Sequence, residues 1–471
     1  MIIKMKIVRN LALPVLAFFV MGLASCSSDE DVVKYSANAL KNTELMNILK
    51  QKGYQFDKDG KLELNDLANN TTSLDLSGTK LKDLSGLDIL PNLKDVKLSN
   101  NEYGPTFDFA NLPAQVTGVD LTGNGIYEFK GLTKEDAAGN ITILRNLNKL
   151  YLPNSAKYNE DEIVSFYKTA KDADMQMSDE NGKLQKYNTI RTIPNAGLRK
   201  SLKEMFSNLF VKDEAGNDVI DISKRLVSPE QKVQPLAFYP EVDDLDGVQY
   251  IIHNKGYEGT AIGIGPSKES GKYTSMPYLR IPKSVQMLVL DRIDTPNGII
   301  LDDAVNLRVL GIYENREIRN IDFSMSQAFG QRGIEKDMLG FEFSWLGIEC
   351  CDKLEKITIP EKAKYAEEIG LLSLKNLQEI NLGGIEGALN LKLIDLPKCK
   401  ITYPNFKVFI KVEDVDMENG QTVFSTTKDV YDNTNGAAFV KKYRKNLSKG
   451  YDIRYNNEFN TEFVPIFDWT K

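Results

Sequence analysis

Histidine is nearly missing from this chain: His253 stands alone among 471 residues, and cysteine is scarce, at four. A Ser-His-Asp triad would have to be built on His253, in Tyr250-Ile-Ile-His253-Asn-Lys, and no G-x-S-x-G elbow exists to supply its nucleophile. One histidine and so few thiols also leave no zinc ligand set. Cys26, Cys350, Cys351 and Cys399 are too few for a disulfide framework, and neighbours such as Cys350 and Cys351 bridge each other only with strain. Neither sign of charge dominates: 59 basic against 66 acidic residues give −7, which offers no electrostatic reason to hold a phosphate backbone. Nucleic acid is not expected as a partner. Long apolar runs are confined to the amino terminus, and a content of 42% hydrophobic and 27% charged residues is close to that of soluble globular proteins.

What the amino terminus does hold is an export signal, read over residues 1–25. Lys4, Lys6 and Arg9 precede an apolar stretch over 11–24, broken by Pro14; at roughly 14 residues it is shorter than the ~20 that span a bilayer. Its end, Leu23-Ala24-Ser25-Cys26, resembles the lipobox of bacterial lipoproteins, which implies cleavage before Cys26 and lipidation of that residue. One acyl chain holds a protein to a membrane only marginally, at ~0.8 kcal/mol per buried methylene, whereas two or three hold it essentially permanently. Residues 26–38 then read as an acidic tether. Within it, Ser27-Ser28-Asp29-Glu30-Asp31 resembles the tract that follows the lipidated cysteine in surface-exposed lipoproteins of Bacteroidetes. An ordinary solvated tether is the alternative.

Beyond the tether, about eight segments fit the template L-x-x-L-x-L-x-x-N/C. The clearest are Leu93-x-x-Val96-x-Leu98-x-x-Asn101, Val116-x-x-Val119-x-Leu121-x-x-Asn124 and Leu307-x-x-Leu310-x-Ile312-x-x-Asn315. A first group starts at Thr71, Leu93, Val116 and Leu147, the last interval carrying an insertion around 133–140. In each copy leucines alternate with polar residues, so short strands should point the leucines inward and stack Asp75, Lys97, Asp120 and Tyr151 on one exposed face. A second group runs from Val285, Leu307, Leu354, Leu377 and Leu391, with room for an irregular copy around Phe341-x-Phe343. In that frame Cys399 takes the N/C position of the last copy, as a small buried residue.

Each group has candidate covers, which a repeat array needs to keep its end leucines out of water. Thr43, Leu45, Met46, Ile48 and Leu49 have helical spacing before the first group and lead into the turn Asp57-Lys-Asp59-Gly60. After it, Asn159-Glu-Asp-Glu162 reads as a helix start with a capping acid three residues on, followed by Ile163, Tyr167 and Ala170 at helical spacing. The parts then recur: Asn195 starts a helix with Leu198, Leu202, Met205, Phe206 and Leu209 on one face, the turn Asp213-Glu-Ala-Gly216-Asn217 follows, and Asp244-Leu245-Asp-Gly247-Val248 echoes Asp83-Leu84-Ser-Gly86-Leu87. Phe439, Val440, Tyr443 and Leu447 read as a last closing helix. The expected fold is an α/β solenoid of two tandem leucine-rich-repeat arrays with short parallel strands, over 39–182 and 183–471, each with a helical amino-terminal cap and a closing helix. The chain resembles leucine-rich-repeat lipoproteins of the Bacteroidetes cell surface, with repeats closest to the short internalin-like kind. It departs from that pattern at 133–140, 214–282 and 324–345, which read as loops or small inserted subdomains.

The resemblance implies recognition of an extracellular protein or glycan and carries no catalytic residue over. No cofactor or metal is expected. The acid pairs Asp243-Asp244, Asp302-Asp303 and Glu367-Glu368 do not by themselves create the spacing across a sugar that glycoside hydrolysis needs. Asp57-Lys-Asp59-Gly60 lacks the further oxygen ligands of a calcium loop, and the glycine-rich stretch from Gly259 to Gly265 lacks the Gly-Lys-Ser/Thr ending of a phosphate loop and reads as a flexible loop. Ligand contacts are expected on the strand faces, at the polar row already named and at Met287, Val289, Asp291, Val309 and Tyr313 in the second array, where an apolar mixture with a tyrosine suggests an interface. The alternative at this second row is that residues 233–283 fold over it and make it core. Trp345, in an apolar run, is expected to be buried. The function read from these features is a non-catalytic surface binding or adhesion module; the alternatives are a structural platform in an outer-membrane complex and, less favoured, a glycan-processing enzyme.

Overall fold

The computed structural model describes residues 33–238, 242–266, 271–331, 344–409, 422–447, 451–453 and 463–465. The signal segment, Cys26 and its acidic tract, Phe341-x-Phe343 and Trp469 lie outside the described residues. The described chain is mixed α/β, with few short helices and many short strands in parallel sheets.

The first sheet forms where the alternation of leucine with polar residues predicts it. Strands Ser73–Asp75, Asp95–Lys97, Gly118–Asp120, Lys149–Leu152 and Asp174–Ser178 lie side by side in chain order, all parallel. Leu74, Val96, Val119 and Leu150 point into one apolar core. After the first two strands a side chain takes over the backbone bonding. Asn124 Oδ1 accepts from the N–H groups of Asn101 (2.9 Å) and Tyr103 (3.1 Å), while its Nδ2 donates to the carbonyls of Leu98 (3.0 Å) and Leu121 (2.8 Å). Asn101 does the same one strand back, donating to Leu76 O and accepting from Lys80 N–H. A buried asparagine at the end of the repeat thus satisfies turn groups that would otherwise be orphaned. The helix Glu162–Thr169 does not end this sheet, as its position suggested: Asp174–Ser178 adds a further parallel strand, and Leu184–Lys186 turns back antiparallel on the edge. The insertion at 133–140 is a hairpin, Thr133–Glu135 with Ile141–Ile143.

A second apolar core, spanning residues 193–447 and joined by Tyr158 and Val164, lies between two further sheets. The large sheet has eight parallel strands in chain order: Leu236–Phe238, Ala261–Ile264, Met287–Asp291, Val309–Tyr313, Trp345–Glu349, Tyr365–Leu372, Gly387–Ile394 and Val423–Thr426. The small sheet has four, Asn320–Asp322, Lys356–Thr358, Glu379–Asn381 and Lys400–Thr402, also parallel. Leu346, Ile348, Ile369 and Leu371 enter the core from one side, and Ile321, Ile357, Ile380 and Ile401 from the other. This alternation between parallel sheets is compatible with a solenoid-like α/β fold.

Three readings of this half are corrected. The template copies at Leu354 and Leu377 belong to the small sheet, whereas those at Val285, Leu307 and Leu391 belong to the large one. Both sheets have period-two strands entered by an inward leucine, so one template fits both. Cys351, not Cys399, is the residue equivalent to Asn315, each following a left-handed residue, Cys350 (φ 54°) and Glu314 (φ 51°). Cys399 instead lies in the turn before Lys400–Thr402. Last, the stretch from Gly259 to Gly265 is no loop: it contains Ala261–Ile264, a strand inside the large sheet.

The two segments expected as amino-terminal covers share local features. Asn42 caps Thr43–Gln51 by accepting from Leu45 N–H, and Asn195 caps Ala196–Met205 by accepting from Leu198 N–H, both at 3.0 Å. Gly86 (φ 91°) packs where a Cβ would lie 2.2 Å from Leu40 Cδ1, and Gly247 (φ 109°) where a Cβ would lie 2.8 Å from Ile193 Cγ1.

Candidate functional site

Parallel register brings the outward residues of the large sheet into three columns. Met287, Val309, Trp345 and Glu368 form the first, Val289, Gly311, Gly347 and Gly370 the second, and Asp291, Tyr313, Glu349 and Leu372 the third. The five residues expected here, Met287, Val289, Asp291, Val309 and Tyr313, are therefore direct neighbours, and all are half-buried. Of the described residues of 233–283, Leu236–Phe238 and Ala261–Ile264 are not a cover over this row but strands of the same sheet, beside Met287–Asp291.

The missed residue is Trp345. It is half-buried on the outward face rather than in the core, and the glycine column explains its posture. A Cβ on Gly347 would sit 2.7 Å from Trp345 Cζ2 and Cη2, and one on Gly311 would sit 2.9 Å from Trp345 Cζ3 and 3.2 Å from Tyr313 Cε2. With no Cβ in the way, the indole and the phenol lean over the backbone of the middle column, their centroids 6.3 Å apart and their planes at 45°. The next strand repeats the effect, with Glu368 Oε1 at 3.2 Å and Leu372 Cδ1 at 3.4 Å from a Cβ on Gly370. Glu368 also pairs with Lys392 at 2.8 Å. Further along the third column, Leu372 and Ile394 are buried in a small apolar cluster separate from the core. The signal that could have located Trp345 is a recurring tripeptide: Leu310-Gly311-Ile312, Leu346-Gly347-Ile348 and Ile369-Gly370-Leu371 align the strands across the irregular segment.

Asp75, Lys97, Asp120 and Tyr151 stand in one row on the first sheet, in register as expected. Here the polar groups satisfy one another. Asp75 and Lys97 approach at 3.8 Å, Asp95 and Lys149 at 3.9 Å, and Lys149 Nζ lies 4.9 Å over the Tyr151 ring. Asp120 Oδ1 accepts from Thr122 N–H and Oγ1–H. The Tyr151 hydroxyl donates to Asp174 at 2.7 Å, which pushes its pKa up to about 12, while bonds from Ser77 hold the Asp75 carboxyl below its usual range. Such exposed pairs contribute at most ~1 kcal/mol each.

A second concavity, of about 520 Å³, opens where the two cores meet. It is lined by His253, Glu128, Arg280, Glu160 and Tyr278 among others. Arg280 Nε donates to Glu128 at 2.6 Å, Tyr278 donates to the same carboxylate at 3.1 Å, and Tyr127 stacks on both Tyr278 and Tyr158. His253 Nε2 accepts the Arg280 backbone N–H at 3.1 Å, and burial pushes the imidazole pKa down to about 3. It is thus a neutral ring whose acceptor nitrogen is already occupied. Of the acid pairs, Asp303 is bound to Arg280, and Asp243 to Lys272 at 2.6 Å.

Among the described residues no group of three or more His, Cys, Asp or Glu could hold a metal ion, and no helix is long and apolar enough to cross a membrane. Comparison with protein-family models, with curated proteins and with solved structures found no match to this chain.

Proposed function

We propose that this chain is a lipid-anchored protein of the outer membrane, displayed at the cell surface, whose two tandem leucine-rich-repeat arrays form a non-catalytic binding or adhesion module for an extracellular protein or glycan. The anchor is Cys26. The observation that carries the reading is the outward face of the large sheet, where Trp345 and Tyr313 lean over a column of glycines beside Met287 and Val309. Aromatic and apolar side chains held half-exposed on a rigid parallel sheet form a preorganised contact surface, which lowers the ordering cost of association. The two-array description draws support from the paired caps around Asn42 and Asn195 and from the two separate apolar cores.

The test is a soluble chain beginning at residue 27, assayed against immobilised extracellular-matrix proteins and polysaccharides. Binding should fall at least about tenfold when Met287 and Val309 are both replaced by glutamate, because charged side chains would have to be desolvated at the contact. Unchanged binding by that variant would assign the contact elsewhere and overturn the reading of this face. Full-length protein should partition into detergent, and Cys26→Ala should move it to the aqueous phase.

A further inference from the structure

We infer that the hairpin inserted into the first repeat group, Thr133–Glu135 with Ile141–Ile143, is a strap that locks the seam between the two apolar cores. It fills the interval that breaks the repeat period between Val116 and Leu147. Its root is fixed on the first core: Leu132 is buried there, and the Glu162 carboxylate accepts from the N–H groups of Gly131 (3.2 Å), Leu132 (2.6 Å) and Thr133 (2.9 Å). Its tip closes on itself, with Asp136 Oδ1 accepting from Ala138 and Asn140 N–H, both at 2.9 Å. An arm ordered at both ends loses little freedom on docking. What it reaches belongs to the second core. Glu135 places one carboxylate oxygen on Arg225 Nη2 (2.5 Å) and the other on Lys255 Nζ (2.7 Å), partners 90 and 120 positions away. With 18% of its side chain exposed, this carboxylate is screened less than the open pairs of the first sheet, and losing it leaves Arg225 without its counter-charge. The receiving cations are themselves placed. Asn254 Oδ1 accepts from Leu226 and Gly256 N–H, both at 3.0 Å, and its Nδ2 donates to Lys224 O at 2.8 Å, which ties the segment carrying Arg225 to the one carrying Lys255. Gly256 permits that approach, since a Cβ there would lie 2.4 Å from Leu226 O. Lys255 also meets Asp161 at 2.6 Å, beside the Glu162 that holds the root of the strap. Under the binding reading above, the lipid anchor enters through the first core and the contact face lies on the second, so the strap fixes that face relative to the membrane. Only this consequence rests on the binding reading; the strap does not.

Amide hydrogen exchange of the soluble protein, read peptide by peptide in a mass spectrometer, tests the strap with no ligand present. In Glu135→Gln, exchange should rise at least about tenfold on both sides of the seam, in the hairpin at 133–143 and at 224–226 and 254–257, while Asp95–Lys97 and Gly118–Asp120 within the first sheet keep their wild-type rates. Gly256→Ala should produce the reciprocal effect, faster exchange in a hairpin whose own sequence is intact. Lys134→Gln, an exposed neighbour on the same strand, should change neither side. Circular dichroism checks that each variant is folded. If Glu135→Gln leaves both sides at wild-type rates, or loosens the hairpin alone, the hairpin is an appendage of the first core and the strap is overturned; a hairpin indifferent to Gly256→Ala in a folded protein overturns it too. Because no ligand enters these measurements, their failure leaves the binding reading standing.

Discussion

Replacing Glu160 by glutamine should stabilise the protein at neutral pH, by an amount set by the proton that the wild-type carboxyl must take up on folding. Glu160 is buried beside the junction of the two cores, and neither of its carboxyl oxygens has a hydrogen-bond partner. Loss of hydration drives its pKa well above 4.5, with Arg191 and Asn254 opposing too weakly to reverse the direction. Arg191 Nη2 is likewise left without an acceptor, so the two groups are not in direct contact. In the unfolded chain the carboxyl ionises above its ordinary 4.5, and each pH unit over which the folded carboxyl stays protonated costs about 1.4 kcal/mol. For an acid with a raised folded pKa, the stabilising contribution is complete below about 4.5 and is lost as pH rises toward the folded pKa. Glutamine carries no such penalty. Urea unfolding followed by circular dichroism at pH 4.5, 5.5 and 7.0 should therefore show the advantage of Glu160→Gln over wild type growing as pH rises, by up to about 1.4 kcal/mol per unit. The slope does not depend on how well the amide packs, which shifts all three points equally. A flat difference, or an advantage that shrinks with pH, would mean that Glu160 is ionised in the native state and held by Arg191, and the reasoning fails.

His253 should act in the opposite sense. Its folded pKa is pushed down to about 3 by burial, so its contribution is present above the ordinary 6.5 and is lost as pH falls from there toward 3. His253→Gln should flatten that acid limb by up to about 1.4 kcal/mol per unit in urea unfolding. Because Glu160 and His253 oppose each other between pH 4.5 and 6.5, each is read against its own variant. Gly86→Ala and Gly247→Ala should each lower stability by roughly 1–3 kcal/mol, since both demand a left-handed backbone and drive a Cβ into Leu40 or Ile193. Thermal unfolding in which only one of the pair matters would separate the two caps. Asn124→Ala should cost about 3 kcal/mol or more in the same assay, by orphaning the N–H groups of Asn101 and Tyr103 and the carbonyls of Leu98 and Leu121.

The first sheet was legible because residue type and period coincide there. Asp75, Lys97, Asp120 and Tyr151 alternate with buried leucines at intervals that match the strand register, so their common row follows from the spacing. The second half was legible only as repeats. Strands of the large and small sheets share the same period and the same inward leucine, so spacing could not tell Leu307 from Leu354. Ala261–Ile264 escaped notice because glycines read as loop residues, yet a glycine facing outward in a strand leaves room for neighbouring side chains to lean in. The junction was not legible at all. Arg280 meets Glu128 across 152 positions, and nothing local marks either residue.

The glycine column is also where local preference and tertiary structure conflict, which makes it the part of the fold most in need of a reason. Glycine weakens a strand by roughly 0.5–1 kcal/mol relative to alanine, and here Gly311, Gly347 and Gly370 follow one another on adjacent strands. Neither Gly311 nor Gly347 has a positive φ, so the backbone does not require them and alanine would be conformationally acceptable. The ring of Trp345, 2.7 Å from the added carbon, stands most strongly against it at position 347, with the Tyr313 hydroxyl next at 3.2 Å. The two positions should therefore be coupled. Alone, Gly347→Ala lowers stability by forcing the indole upright; in a Trp345→Ala background the same change becomes neutral or stabilising, by up to about 1 kcal/mol. A double-mutant cycle in urea reads the coupling directly. If it vanishes, the glycines do not exist to admit the ring, and the face loses the feature that sets it apart from the self-paired row on the first sheet.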